Sequence, residues 1–498
     1  MIINKDLYKR ICSICDFILT DFDTNTRRIC ISWLHIIRPH PIILDRYQNI
    51  FSSCHNTSKK TFFNYILIRK SVNIIYKIIV SLFKSKKNLY SKNFVHKNND
   101  GIDYLFVSHL LNSNEFERET DFYFENSIIY LNKLGYNTVT LLFNHTNIEN
   151  KYFESQRNLA TKKIILANNL PFFTEIYIYI QLLIESFLLY KKSKLYGHDS
   201  FIQKIILESS RECVTLNTID NLRKYYQFKY LIKKLKPKKI IATYEGHAWE
   251  RLLFHAAKEY SSKIQCYGYQ HTSLFNLQHA ALRSLNNFYN PDVILTPGEF
   301  SKNFFKNSPI GENTPIYILG SNRGINTNVS IKSLRKANNS CLVIPEGIES
   351  ECLILFRFVI ECSNISNSIN FILKLHPMMN KQLFLDNFPE FNLLPNNVSW
   401  SSDNINEEFS KCSWVLYRGT TMIVQACQNN LIPIYYQYNS DEISLDLLED
   451  VSEYKSKICN VDDFFKSVVD KDNNFNKDKI ISYCSKLYQN FNYSVLVN

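Results

Sequence analysis

The chain has 498 residues, 45% of them hydrophobic and 14% aromatic, which allows two to four domains with large cores. Its formal net charge of +12 is not confined to one tail, so it suits an anionic substrate or an acidic membrane surface. No basic–aromatic stripe or nucleic-acid motif occurs, and nucleic acid is not an expected partner. The 13 cysteines are scattered, as in a reducing, cytosolic compartment, and the N-terminal Met-Ile-Ile-Asn-Lys-Asp has no signal-peptide layout. Cys12 and Cys15 form a lone CxxC without a second pair, which reads as a helix face rather than a zinc or redox site. Only 11 glycines are present, and eight lie between Gly246 and Gly419, so chemistry is expected in the second half of the chain.

Residues 1 to 100 read as a mostly helical N-terminal extension. The stretch Trp33 to Pro41 holds a His-Pro at His40, where Pro39 breaks the strand pattern; it reads as a structural turn. Phe62 to Phe83, with Arg69, Lys70 and Lys77 and followed by Lys84, Lys86 and Lys87, reads equally as a basic amphipathic helix on an anionic membrane and as an ordinary surface helix. The first βαβ pattern is the strand Tyr104–Val107, a helix over Glu119–Leu134 capped by Gly135, and the strand Thr138–Phe143. Phe172 to Tyr190 is long enough to span a bilayer, but Glu175 and Glu185 interrupt it, so a buried or membrane-touching helix is expected.

From Leu216 the alternation of strand and helix is regular. A helix over Leu216–Leu235 stops before Pro237, and the strand Lys239–Tyr244 ends in Glu245-Gly246-His247. The strand Ile264–Tyr269 ends in Gln270-His271-Thr272, Asp292–Thr296 in Pro297-Gly298, and Ile316–Leu319 in Gly320-Ser321-Asn322-Arg323. The polar segment Gly324 to Asn339 reads as an interdomain linker. A second series opens at Cys341–Ile344 and ends in Pro345-Glu346-Gly347. It continues with Ile369–Leu375 ending in His376-Pro377, Trp414–Tyr417 ending in Arg418-Gly419-Thr420-Thr421, and Leu431–Tyr436. Strands alternating with helices predict doubly wound parallel sheets, an α/β fold with ligands at the carboxyl ends of the strands. Four parts follow: the extension over 1–100, a Rossmann-like domain over 101–325, a second over 340–440, and C-terminal helices over 441–498.

His376 and Thr420-Thr421 are expected side by side at the rim of the second sheet. There Gly419 admits close approach, the two hydroxyls and a helix start hold an anion, and His376 donates to it. Pro377 stops the strand and fixes the turn. Asp21-Phe22-Asp23 is the only Asp-x-Asp and lies outside the strands of the α/β series, so no metal is expected.

Two Rossmann-like halves about a linker resemble a GT-B glycosyltransferase, and the motif order resembles bacterial sialyltransferases and related Kdo transferases. Tyr244-Glu245-Gly246 is similar to their acidic-Gly motif, Leu375-His376-Pro377 to their His-Pro motif, and Gly419-Thr420-Thr421 to their Ser-Ser/Thr motif. Gln270-His271-Thr272 resembles the Gln-His-Gly of capsule and CDP-glycerol transferases. Tyr244 stands in place of the first acid of the triplet, and Thr272 in place of a glycine. The match covers about residues 237 to 436.

The resemblance implies an inverting transferase that moves a CMP-activated ulosonic acid, sialic-acid-like or Kdo, onto a surface polysaccharide or lipid-linked glycan. It implies no cofactor beyond that nucleotide-sugar donor, while the scattered cysteines and the basic apolar stretch Phe62 to Lys87 point to a cytoplasmic chain peripheral on the inner face of the cell membrane. Glu245 would be the base, with His247 as a competitor, and the apolar Tyr244 and Trp249 nearby would raise its pKa. His376, Thr420 and Thr421 would hold the departing phosphate, and Glu346 and Gly347 would contact cytosine or ribose. His271 is either an acceptor-side ligand or a strand-end histidine, while Gly246, Gln270 and Arg418 belong to the substrate-binding set. The alternatives are a CDP-glycerol-type glycerophosphotransferase and a non-catalytic GT-B scaffold in polysaccharide assembly.

Overall fold

The computed structural model describes residues 3–20, 24–52, 101–146, 148, 162–197, 200–323, 339–376, 379–402, 404–439, 442–469 and 476–497. The basic stretch Phe62–Lys87, Asp21-Phe22-Asp23, Pro377 and all but the last residue of the polar segment 324–339 lie outside these residues.

The first sheet contains β1 (Ile102–Leu110), β2 (Thr138–Asn144), β3 (Lys163–Ile165), β4 (Pro237–Thr243), β5 (Gln265–Tyr269), β6 (Val293–Thr296) and β7 (Ile316–Ile318). Its order is β3-β2-β1-β4-β5-β6-β7, and neighbouring strands pair in parallel. The second contains β8 (Ser340–Ile344), β9 (Asn370–Leu373), β10 (Val398–Trp400), β11 (Trp414–Tyr417), β12 (Ile432–Tyr436) and β13 (Ser456–Ile458). Its order is β10-β9-β8-β11-β12-β13, again all parallel. The order reverses between β1 and β4 and between β8 and β11, and at such switch points the loops splay apart and leave a crevice. The architecture is α/β of the GT-B type: two Rossmann-like units facing a cleft, preceded by a helical N-terminal region.

The strands are buried on both faces, as parallel sheets covered by helices must be. Leu416, Val415 and Ile434 are fully buried, and β4 runs Ile240-Ile241-Ala242 with no exposure. The helices Lys5–Thr20 and Thr26–Ile29 bury Ile11, Cys15, Ile18 and Ile29 in the same core as Leu105, Leu141 and Ile240 of the first sheet. Among the described residues every cysteine is a free thiol and all but Cys459 are buried. Cys12 and Cys15 sit on the inward face of their helix, and burial pushes the Cys15 thiol up to about 12.

The helix Leu216–Leu235 ends where Lys236 turns left-handed at φ 46°, just before Pro237. The helix expected over Glu119–Leu134 forms only at Ser127–Lys133. Asp121 is the cause: its Oδ1 accepts N–H bonds from Tyr123 and Phe124 and the Ser108 hydroxyl, which fixes a turn in place of helix. Trp33-Leu34 falls in a single 3₁₀ turn, Ser32–Leu34. Residues 488–497 return to the first unit. Gln489 N–H donates to Pro297 O at 2.8 Å, Asn492 N–H to Leu319 O at 2.7 Å, and Leu496 is fully buried beside Tyr104 and Phe106.

Candidate active site

The ends of β9 and β11 converge, but not as neighbouring strands. β8 lies between the other two, so Glu346-Gly347 at its end separates His376 from Gly419-Thr420-Thr421. The packing there is tight. A Cβ on Gly347 would stand 2.7 Å from Cγ of His376, and one on Gly419, at φ +66°, would stand 2.7 Å from Oε2 of Glu346. Both positions therefore require glycine, which lets the carboxylate and the imidazole lie against bare backbone.

The first sheet answers with Glu245. Tyr244 points inward, fully buried, with its hydroxyl donating to Ala281 O at 3.0 Å. Its departure from an acidic residue is a packing choice, and the next residue faces the cleft. A cavity of about 180 Å³ joins the two sides. Glu245, Thr272 and Phe275 line it from the first unit, and Glu346, Gly347, His376, Gly419, Thr420 and Thr421 from the second.

Three features of the cavity were not read from the sequence. Ile37 and Arg38 line it, so the Arg38-Pro39-His40 turn is part of the site rather than a remote structural turn. Arg38 pairs with Glu346 and lies 4.2 Å over the Phe275 ring, and His40 Nε2 donates to Glu346 Oε2 at 2.9 Å. Arg323, at the end of β7, donates to the Thr421 hydroxyl at 2.9 Å. Thr272, where the resembling family has glycine, donates to Glu245 Oε1 at 3.4 Å. The repeated His-Pro at His40 was the available signal for the first of these; Arg323 carried none.

The remaining expected residues separate. His247 Nε2 lies 3.4 Å from Glu245 Oε2. Gly246 packs against the backbone of Ala280 and Ala281 and is closed off from the cavity. Gln270 is fully buried and donates to the Thr272 hydroxyl at 3.1 Å. His271 stands edge-on to Tyr123 at 4.4 Å. Arg418 is a correction to the substrate-binding set: it is 1% exposed and bound by Glu351 at 2.5 Å and Glu442 at 2.5 and 2.8 Å. Its guanidinium is consumed below the site.

The electrostatics also correct an expectation. Burial opposes ionisation of Glu245, but the His247 hydrogen bond and the charges of His271, His247 and Arg38 outweigh it. Its carboxyl is held well below the usual range, not raised. The raised carboxyl is Glu250, pushed by burial up to about 7. Glu250 is 1% exposed and accepts the N–H groups of Glu245, Gly246 and His247 at 2.7–3.1 Å, capping the helix Ala248–Tyr260. Burial works against the His247 cation, yet Glu245 and Glu250 raise its pKa above 6.5. Burial and then Arg323 lower that of His376, which favours its neutral form beside the Arg323 charge. The helix after Thr421 spans only Met422–Gln428, so its dipole is short and the Arg323 guanidinium is the stronger positive feature beside Thr421.

Among the described residues no group of three or more His, Cys, Asp or Glu is placed to hold a metal ion. No protein-family model and no curated protein matches the chain. Solved structures do match in part. The Methanocaldococcus jannaschii UDP-GlcNAc 2-epimerase with UDP-GlcNAc and UDP is 13% identical, with 80% of this chain and 98% of that one covered and a TM-score of 0.44. S. aureus MnaA with UDP is 10% identical over 80% and 95%, with a TM-score of 0.45, and Acinetobacter baumannii MurG is 8% identical over 79% and 98%, with a TM-score of 0.42. The ligands named for the first two are UDP and UDP-GlcNAc, not CMP-sugars.

Proposed function

We propose that the protein is an inverting glycosyltransferase whose donor is a nucleotide-activated sugar, of the CMP-ulosonic acid class, and whose acceptor is a hydroxyl of a surface or lipid-linked glycan. The observation that carries the reading is the single cavity that places Glu245 of one sheet opposite His376, Thr420 and Thr421 of the other. Inversion needs a base and a leaving-group site on opposite faces of the sugar, and two facing sheet edges supply that geometry.

Glu245 takes the proton of the acceptor hydroxyl as its oxygen attacks the anomeric carbon. The bond from that carbon to the phosphate oxygen breaks, and the electron pair leaves with the nucleotide. Arg323, the Thr420 and Thr421 hydroxyls and the His376 N–H stabilise the charge that develops there. Glu346 accepts the ribose hydroxyls. The cavity is smaller than the roughly 300–1,000 Å³ of a ligand site, so the donor enters as the Arg38–Glu346 bridge yields and the cleft opens.

The test is a thermal-shift screen of CMP, CDP, UDP and GDP, followed by assays of nucleotide release from CMP-sugars and from CDP-glycerol. Stabilisation by CMP with release of CMP supports the reading. Release from CDP-glycerol alone makes it a glycerophosphotransferase, stabilisation by UDP alone replaces the donor class, and binding without turnover makes it a scaffold.

A further inference from the structure

The helix Phe172–Ser193 has 22 residues, about 33 Å at 1.5 Å per residue, and is the one described helix apolar and long enough to cross a bilayer. Its inner face rules that placement out. Glu175, 2% exposed, is held by Arg223 at 2.6 and 2.9 Å. Glu185, with no exposure, is held by Arg28 at 2.8 Å and Arg27 at 3.5 Å. The Ser186 hydroxyl donates to Ser210 O at 2.8 Å. Both carboxylates that interrupt the apolar run thus face the protein body, and the helix is fastened along it.

The outer face is different. Phe173, Tyr177, Ile180, Ile184, Phe187 and Leu188 are exposed, at 82, 53, 47, 46, 55 and 39%. Their three- and four-residue spacing puts them in one stripe, and no charged side chain on the helix is exposed between Phe173 and Leu188. The stripe ends in Lys191 and Lys194, whose ammonium groups lie 4.6 and 4.5 Å over the rings of Phe187 and Tyr190. Leu195 beyond them is 80% exposed. An apolar stripe closed by ring-seated lysines matches a surface that is hydrocarbon below and anionic above. A contiguous exposed apolar face of this kind marks an interaction site in a soluble body.

We propose that this face docks the protein on an anionic lipid bilayer, the helix lying parallel to the surface, its six apolar side chains in the acyl boundary and Lys191 and Lys194 among the head groups. The partner is identified by charge complementarity: the stripe offers cations and no acid, on a chain of net charge +12. The proposal does not depend on the transfer reaction.

The test uses the full chain and sedimentation with vesicles of phosphatidylcholine alone and of phosphatidylcholine mixed with phosphatidylglycerol. Wild type should bind the mixed vesicles and be released by salt. The double variant Ile184→Glu/Phe187→Glu, at exposed positions, should lose binding while keeping its melting temperature. Lys191→Glu/Lys194→Glu should partition on the order of tenfold more weakly. Absence of wild-type binding overturns the proposal, as does unchanged binding by the first variant, which would move the contact elsewhere, for instance to Phe62–Lys87. A wild-type dimer in light scattering that the same variant dissociates overturns it in favour of a second copy of this chain.

Discussion

Glu245 and His247 behave as one charged unit 3.4 Å apart, and the pair decides how the base responds to substitution and to pH. Glu245→Gln keeps shape and hydrogen bonding but takes no proton, so turnover should fall ~10²–10⁴-fold. On the proposed reading the donor rests on the second unit, so its affinity should change little; paired kinetics and CMP titration measure both. His247→Asn should keep most turnover. Losing the His247 proton removes a charge that depresses Glu245, so the wild-type rate should climb as pH rises past 6.5, and the variant's profile should be flatter there. A dead His247→Asn beside an active Glu245→Gln would reverse the assignment. Gly347→Ala tests the other side. Its methyl group would meet the His376 ring at 2.7 Å, and relieving such overpacking costs about 1–3 kcal/mol unless the ring moves. The expected result is a loss of turnover of more than tenfold with a nearly unchanged circular dichroism spectrum.

At the scale of elements, the buried Arg28–Glu185 pair fastens the helix Phe172–Ser193 to the helix Thr26–Ile29. Glu185→Ala leaves Arg28 buried without its carboxylate, and removing one partner of a buried pair costs about 3–5 kcal/mol. Chemical denaturation should show that loss, and an unchanged midpoint would mean the pair contributes nothing. The same helix shows what a sequence can and cannot convey. Its apolar run was legible, but which way Glu175 and Glu185 face depends on Arg223, Arg28 and Arg27, far away in the chain. The strands with continuous buried runs, such as Trp414–Tyr417, were legible because parallel strands covered on both faces need apolar residues throughout. Of the four three-residue edge strands, Ile316–Ile318 was legible by its run into Gly320, while Lys163–Ile165, Val398–Trp400 and Ser456–Ile458 were not. In the site, strand ends exposed Glu245, His376 and Gly419, since strand ends are local. The order of the strands is not local, so Glu346 between His376 and Gly419 was missed as the centre of the arrangement. Arg38 reaches the cavity, and Arg323 the Thr421 hydroxyl at its wall, only through tertiary packing.

Over the whole molecule, buried neutral histidines set the response to acid. His40 is 3% exposed; burial first, then Arg38 and Arg418, lower its pKa to about 3. Burial and Arg283 push His35 well below 6.5. At pH 5 His40 is neutral when folded and charged when unfolded, and His35 is shifted in the same direction, so the unfolded chain binds more protons and stability rises with pH. Stability should therefore fall as pH drops from 6.5 toward 4.5, before most carboxylates titrate. In His40→Gln, whose amide also donates to Glu346, that slope should be shallower in urea titrations at successive pH values. An equal slope would remove His40 from the account.

Residues 488–497 carry a consequence for biosynthesis. Leu496 has no exposure, and the Tyr104 hydroxyl donates to its carbonyl at 2.9 Å in the core that also holds Phe106, Phe124 and Leu319. The unit translated first thus lacks part of its interior until residues 488–497 leave the ribosome. The sheet of the second unit runs from Ser340 to Ile458, but its core also takes Ile480, Cys484, Leu487 and Tyr488, so both interiors are completed by the C-terminal segment. A nascent chain stalled before Ile480 therefore leaves both cores short of a wall, and displays Tyr104 and Phe106 to chaperones rather than to Leu496.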